Sequence, residues 1–244
     1  ISGEGYEVLP GPGGIDKGPH VPMRGRILFN GPYNRPAVTC TDGPSHGIML
    51  LLLPDALAAL TGIDPGAYLC RSVPAAEALP PEWMAMCEAV MQAPDDAQRV
   101  AMIEGWLDPL WQAARPHGLM HSHLVEDWSM GLTMRAANSG LGRSARQIER
   151  RIKQWTGQPL RELRGIGRAE RAFFDSILAQ ENGTLNWSDL ASDAGYADQS
   201  HLCRQVRRIT GFAPEALRQR IACDEAFWSY RVWGMADQQL RRQG

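Results

Sequence analysis

The sequence predicts an α+β chain, with short strands and helices in the first half and an all-α second half. Three observations carry this. Residues 1–70 hold 12 Gly and 9 Pro around short apolar stretches. Strand signals stop at a hinge, residues 116–122. Beyond it a short helix, a glycine turn and a longer helix occur twice, 54 residues apart. With 244 residues, 44% of them hydrophobic, the chain can bury a sizeable core, which excludes a disordered polymer.

In the first half, residues 26–29, 37–40 and 48–53 are apolar stretches between breakers, and each is predicted to be a short strand. The run 48–53 is the longest apolar run, far below the roughly 20 residues of a membrane helix. A short helix is expected over 55–60, started after Pro54 and stopped by Gly62. Two longer helices are expected over 81–92 and 95–114. In the second, Val100, Ile103, Leu107, Leu110 and Trp111 recur at helical spacing, and Pro109 predicts a kink or an early break. Trp83, Trp106, Trp111 and Trp128 are expected in cores rather than around a pocket.

Charge divides the chain. Residues 1–120 carry 7 Lys+Arg against 13 Asp+Glu, and residues 121–244 carry 18 against 14. A basic half beside an acidic one suits contact with a polyanion, although arginines also serve as plain solvated faces. The five cysteines, Cys40, Cys70, Cys87, Cys203 and Cys223, are never closer than 17 positions. That spacing excludes CxxC zinc sites and argues against a disulfide scaffold. A reducing, cytoplasmic setting is expected, and no secretory signal segment opens the chain.

The repeat is the most informative feature. Residues 144–157 align with 198–211: Arg150 with Arg204, Thr156-Gly157 with Thr210-Gly211, and Ile148, Ile152 and Trp155 with Leu202, Val206 and Ile209. Ser144 and Asp198 are N-cap types, and each copy closes on glycine. Shorter helices are expected before them, over 133–139 and 187–194, which makes two helix-turn-helix signatures. Opposite the apolar stripes lie Arg146, Arg150 and Lys153, flanked by Arg151, and Gln199, Ser200, Arg204 and Arg207, flanked by Arg208. These residue types meet phosphates and base edges. A connecting helix over 159–180 would span about 33 Å, close to one DNA turn of about 34 Å. Within it Gly165 and Gly167 mark close packing or a bend. The tail 224–242 is expected to be helical and to pack back on the second motif or contact the other domain.

On residues 144–152 with Gly157 and Pro159, and on Gly195-Tyr196-Ala197-Asp198-Gln199-Ser200-His201-Leu202 with Thr210-Gly211-Phe212-Ala213-Pro214, the chain resembles the AraC/XylS-type bacterial transcription regulators. The resemblance covers about residues 121–222. It implies a seven-helix unit with two helix-turn-helix motifs joined by a long helix, gripping one side of asymmetric DNA. It puts base-reading positions on Arg146, Glu149 and Arg150, and on Gln199, Ser200, Cys203 and Arg204; Ser144, Lys153 and Arg207 complete the candidate DNA-binding set. Glu149 departs from the usual neutral residue: it accepts from cytosine or steadies a neighbouring arginine. Cys203 stands where a small hydroxyl is common: it meets a thymine methyl or packs.

The first half resembles, less specifically, the cupin-like barrels attached to this family, through Gly31-Pro32, Gly47-Ile48-Met49-Leu50, Pro54, Ala58-Ala59-Leu60 and Gly62-Ile63. This second resemblance implies a small N-terminal β-barrel with helices. The implied layout is a sensor or dimerisation domain over 1–117 and a DNA-binding domain over 118–244, with motifs at about 132–157 and 187–211. The expected partners are double-stranded DNA in two successive major grooves, a small-molecule effector, a second copy, and RNA polymerase if the protein activates. No enzymatic activity, cofactor, metal or membrane is expected.

Two rival readings stand beside this one. One is a DNA-associated, alkyl-repair-like enzyme with a reactive cysteine among Cys40, Cys70 and Cys87, whose spacing suits buried small hydrophobes better. The other is a helical module for protein partners, which the basic faces of the repeat oppose. His117, His121 and His123 cluster near the hinge, but an i, i+2 pair diverges on a helix.

Overall fold

The computed structural model describes residues 5–12, 14–115, 124–139 and 144–243. His117, His121, His123, Gly140 and Gly142 therefore lie outside the described residues. The chain divides into two compact units, Ile1–Leu119 with Ser144–Pro159, and Met120–Arg143 with Leu160–Gly244. The strands are β1 Gly5–Val8, β2 His20–Met23, β3 Leu28–Asn30, β4 Val38–Thr41 and β5 Ser72–Pro74. The helices are α1 Pro54–Thr61, α2 Pro81–Gln92, α3 Asp96–Ala114, α4 Val125–Asn138, α5 Ala145–Thr156, α6 Leu160–Glu181, α7 Trp187–Asp193, α8 Gln199–Thr210, α9 Pro214–Cys223 and α10 Trp228–Gln243. The architecture is α+β, and among the described residues the strands are confined to the N-terminal part. Among the described residues no helix is long and apolar enough to cross a membrane.

In the first unit β1 is the centre of an antiparallel sheet ordered β2-β1-β4, and Gly5 faces both Met23 and Thr41. Strands β3 and β5 form a separate antiparallel ladder. Among the described residues neither sheet closes into a barrel. Residues 48–53, expected as a strand, join neither ladder and are largely solvent-exposed: Met49 is 68% and Leu51 81% exposed. A strand requires a partner for its backbone groups, and apolar composition alone does not provide one. Only Leu52 of this run packs on the core of Phe29, Leu57, Val73 and Ala75.

Punctuation sets the helices of this unit. Pro54 opens α1, and Gly62 closes it at φ 73°. Asp95 caps α3 by accepting from the Gln98 amide at 2.8 Å. The helix runs through Pro109 without the break that proline suggests. Its inner face is Ile103, Trp106 and Leu107, packed on Trp83, Met86 and Val90, with the Trp83 and Trp106 rings edge to face at 4.7 Å. Val100 and Leu110, expected in that stripe, point to solvent. Helix α5 packs on α1 and on the 3-10 turn Pro65–Tyr68.

The second unit is built on α6. A Cβ on Gly167 would lie 2.8 Å from the Glu126 amide nitrogen, so glycine lets α4 approach α6 closely. Glu170 accepts from the Val125 amide at 2.7 Å and so satisfies the start of α4, while Arg171 pairs with Glu126 at 2.7 Å. The two glycines of α6 thus serve packing; Gly165 lies against Gln205. The tail forms a 3-10 turn, Glu225–Phe227, and then α10, which packs back on α6 through Tyr230 against Phe173 and Trp233 against Phe174.

Gly167→Ala should destabilise the chain by about 1–2 kcal/mol, because a clash with backbone exceeds the helix-propensity gain. Gly105→Ala, with open space around the new methyl, should instead gain about 0.5–1 kcal/mol. Calorimetric melting of both variants checks the pair. Glu215 is held down to about 2 by the Arg218 guanidinium bonded to it, with help from Gln219. A depressed carboxyl stabilises above its ordinary range and loses that contribution as pH falls toward 2. The pair is half-exposed, so its worth is below about 1 kcal/mol. The melting temperature of Glu215→Gln should lie slightly below wild type at pH 6 and match it near pH 2.

Candidate nucleic-acid interface

The helix pair α7–α8 is set by local chemistry. Asn186 caps α7 by accepting from the Ser188 amide at 2.9 Å. The chain turns at Gly195, whose φ of 71° suits glycine. Tyr196 then enters the core: Arg168 lies over its ring at 5.2 Å, His201 meets it edge-on, and burial pushes its phenol up. Asp198 caps α8 by accepting from the His201 amide at 2.6 Å. Leu202 and Val206 are buried in a core with Ala169, Ala172, Ala191 and Leu217, and Ile209 packs against it.

That burial decides what faces water. Gln199, Ser200, Arg204 and Arg207 are exposed, and Cys203 is half-buried. Among the described residues Arg204 and Arg207 form no ion pair. Arg208 is different: it pairs with Glu162 at 2.7 Å and ties α8 to α6.

In its own unit, α5 has the same local frame. Ser144 accepts from the Gln147 amide at 3.3 Å, and Gln147 Oε1 accepts from the Ser144 amide at 3.2 Å, a capping box. Thr156 donates to the Ile152 carbonyl at 2.8 Å, and Thr210 donates to that of Val206 at the same distance. Gly157 and Gly211 close the two helices at φ 74° and 85°. Ser144, Arg146, Arg150 and Lys153 are exposed and Glu149 is half-buried. Among the described residues Arg146, Arg150 and Lys153 form no ion pair. Arg151 does not flank this face: it is only 6% exposed. Ile152 is fully buried, and Trp155 is half-buried.

Two positioning residues do not stand out in the sequence pattern. Glu170 lies on the inner stripe of α6, between Ile166 and Phe173, and a charge there is the available signal. Arg168 has none, since its stacking on Tyr196 is made across elements.

Residues 139–220 match a family model described as a helix-turn-helix domain. The match takes in α5 to α8 and most of α9, less than half of the chain. It supports a C-terminal helix-turn-helix domain consistent with AraC-type regulators, and with it a DNA-binding regulatory function. No curated protein and no solved structure matches the chain.

The face of α8 should be dispensable for folding. Arg204→Ala and Arg207→Ala should leave stability within about 0.5 kcal/mol of wild type. Leu202→Ala should cost about 2–5 kcal/mol. Denaturant titrations separate these outcomes.

Proposed function

We propose that the chain is a non-catalytic, sequence-specific transcription regulator of the AraC type, in which α5 and α8 are two recognition helices that enter successive major grooves of one DNA duplex. One observation carries the reading. Among the described residues Arg204 and Arg207, like Arg146, Arg150 and Lys153, stand exposed and without ion pairs opposite an apolar stripe that the fold consumes. Cations that do nothing for the fold are free to displace counterions from phosphates. Arginine also reads guanine, and Gln199 has the geometry for adenine. Helix α6, which lies between the two in the chain, has 22 residues and measures about 33 Å as a helix.

The fuller reading assigns the strand-containing N-terminal part to effector response or dimerisation. It adds a small-molecule effector, a second copy of the chain and, for an activator, RNA polymerase as partners in the cytoplasm.

The test is a binding site selected from a random pool of duplexes, followed by anisotropy titrations. Arg150→Ala or Arg204→Ala should cost about 1–3 kcal/mol on the selected site. The loss on random duplex should be smaller. Equal losses on both would assign these arginines to phosphates, and failure of the pool to enrich would remove sequence-specific reading altogether. Affinity should fall with salt, with a log–log slope of about 0.9 per neutralised phosphate.

A further inference from the structure

The all-α unit contains a cavity that the interface does not use. Its volume is about 420 Å³, inside the roughly 300–1,000 Å³ range of small-molecule sites. It opens to solvent where Gln180, Glu181, Ala222 and Trp233 are exposed, so a small molecule can reach it. Its walls include Phe173 and Ile177 of α6, Leu202 and Val206 of α8, Ile221 of α9 and Trp233 of α10.

The polar groups around it define the ligand's chemistry. Every charged side chain in the lining already has a partner. Glu170 accepts from the Val125 amide, Glu181 from Gln238, Arg218 holds Glu215, and Arg231 holds Glu225. Ser176 and Thr210 donate to carbonyls of their own helices. Apart from these groups the named walls are largely apolar. Tyr230 also lines the cavity, and among the described residues its hydroxyl makes no hydrogen bond.

We propose that this cavity binds an uncharged aromatic or branched-aliphatic small molecule, with Tyr230 at its wall to meet a hydrogen-bonding group. Leu202 and Val206 are both cavity wall and the back of α8. A bound molecule therefore adds contacts behind the helix whose front carries Arg204 and Arg207, and it steadies that helix. The site rests on its walls; its use in regulation rests on the DNA-binding reading above.

The experiment titrates the full chain with N-phenyl-1-naphthylamine, an uncharged fluorescent probe. Saturable one-site binding is expected. Ala172→Leu, which fills the cavity, and Ala222→Trp, placed where the lining is exposed, should each weaken binding about tenfold or more, a difference of about 1.4 kcal/mol. Saturating probe should also slow amide hydrogen exchange in α8. A signal that does not saturate, a folded Ala222→Trp variant with wild-type affinity, or unchanged exchange in α8 overturns the proposal. So does self-association that fills the cavity, seen as a dimer by sedimentation that excludes the probe. No step uses DNA, so a failure of the DNA-binding reading and a failure of the cavity are recorded separately.

Discussion

Burial of one apolar stripe on α8 is the constraint on which the candidate interface depends. Leu202, Val206 and Ile209 recur at helical spacing and pack on α6, α7 and α9. A fully buried aliphatic side chain is worth about 1.5–3 kcal/mol, whereas an exposed arginine changes stability by about 0.5 kcal/mol at most. The stripe therefore sets the rotation of the helix about its axis, and the arginines take the opposite side. The Asp198 cap and the Gly211 terminus then fix where the helix begins and ends. Packing chooses the geometry and leaves the opposite face free for chemistry.

Helix α6 performs the corresponding task for the rest of its unit. Along 22 residues it offers Glu162 to Arg208, Gly165 to Gln205, Gly167 and Glu170 to the start of α4, Arg168 to Tyr196, and Phe173 and Phe174 to α10. Two glycines in a helix interior cost about 1 kcal/mol each in propensity. Where a Cβ would meet backbone at 2.8 Å, as at Gly167, that cost is smaller than the alternative. Intrinsic preference and tertiary packing disagree at this position, and packing wins.

Elements bounded by strong local signals are legible in the sequence. Pro54 and Gly62 frame α1, and Pro81 opens α2, whose expected and observed limits coincide. Both long helices of the repeat have the expected caps. Features that need a distant partner are not legible. Residues 48–53 have strand composition but no ladder among the described residues. The stripe of α3 lies one flank away from its expected position, because Val100 and Leu110 fit helical periodicity as well as Trp106 does, and only contact with Trp83 decides. Arg151 has the sequence context of one more surface cation, yet it is buried. On the interface, residue types and spacing are readable, while the partners of Arg208 and Glu170 come from elements 45 or more positions away.

The repeat explains Arg151 and says something about asymmetry. Position 151 aligns with 205, where Gln205 is also drawn inward, beside Gly165 and Arg208. Both copies thus place this position on the inner flank, whatever residue stands there. Caps, closing glycines, threonine bonds and apolar stripes agree between the copies. The outward positions do not: Arg146 aligns with Ser200, and Glu149 with Cys203. Only Arg150 with Arg204, and the cations Lys153 and Arg207, keep their character. The framing residues are consumed in packing or capping. The outward residues differ between the copies. If both helices read bases, one offers arginine and a carboxylate where the other offers a hydroxyl and a thiol. Those groups do not accept the same base pairs, so under the proposed function the two helices would recognise two unlike half-sites rather than one sequence twice.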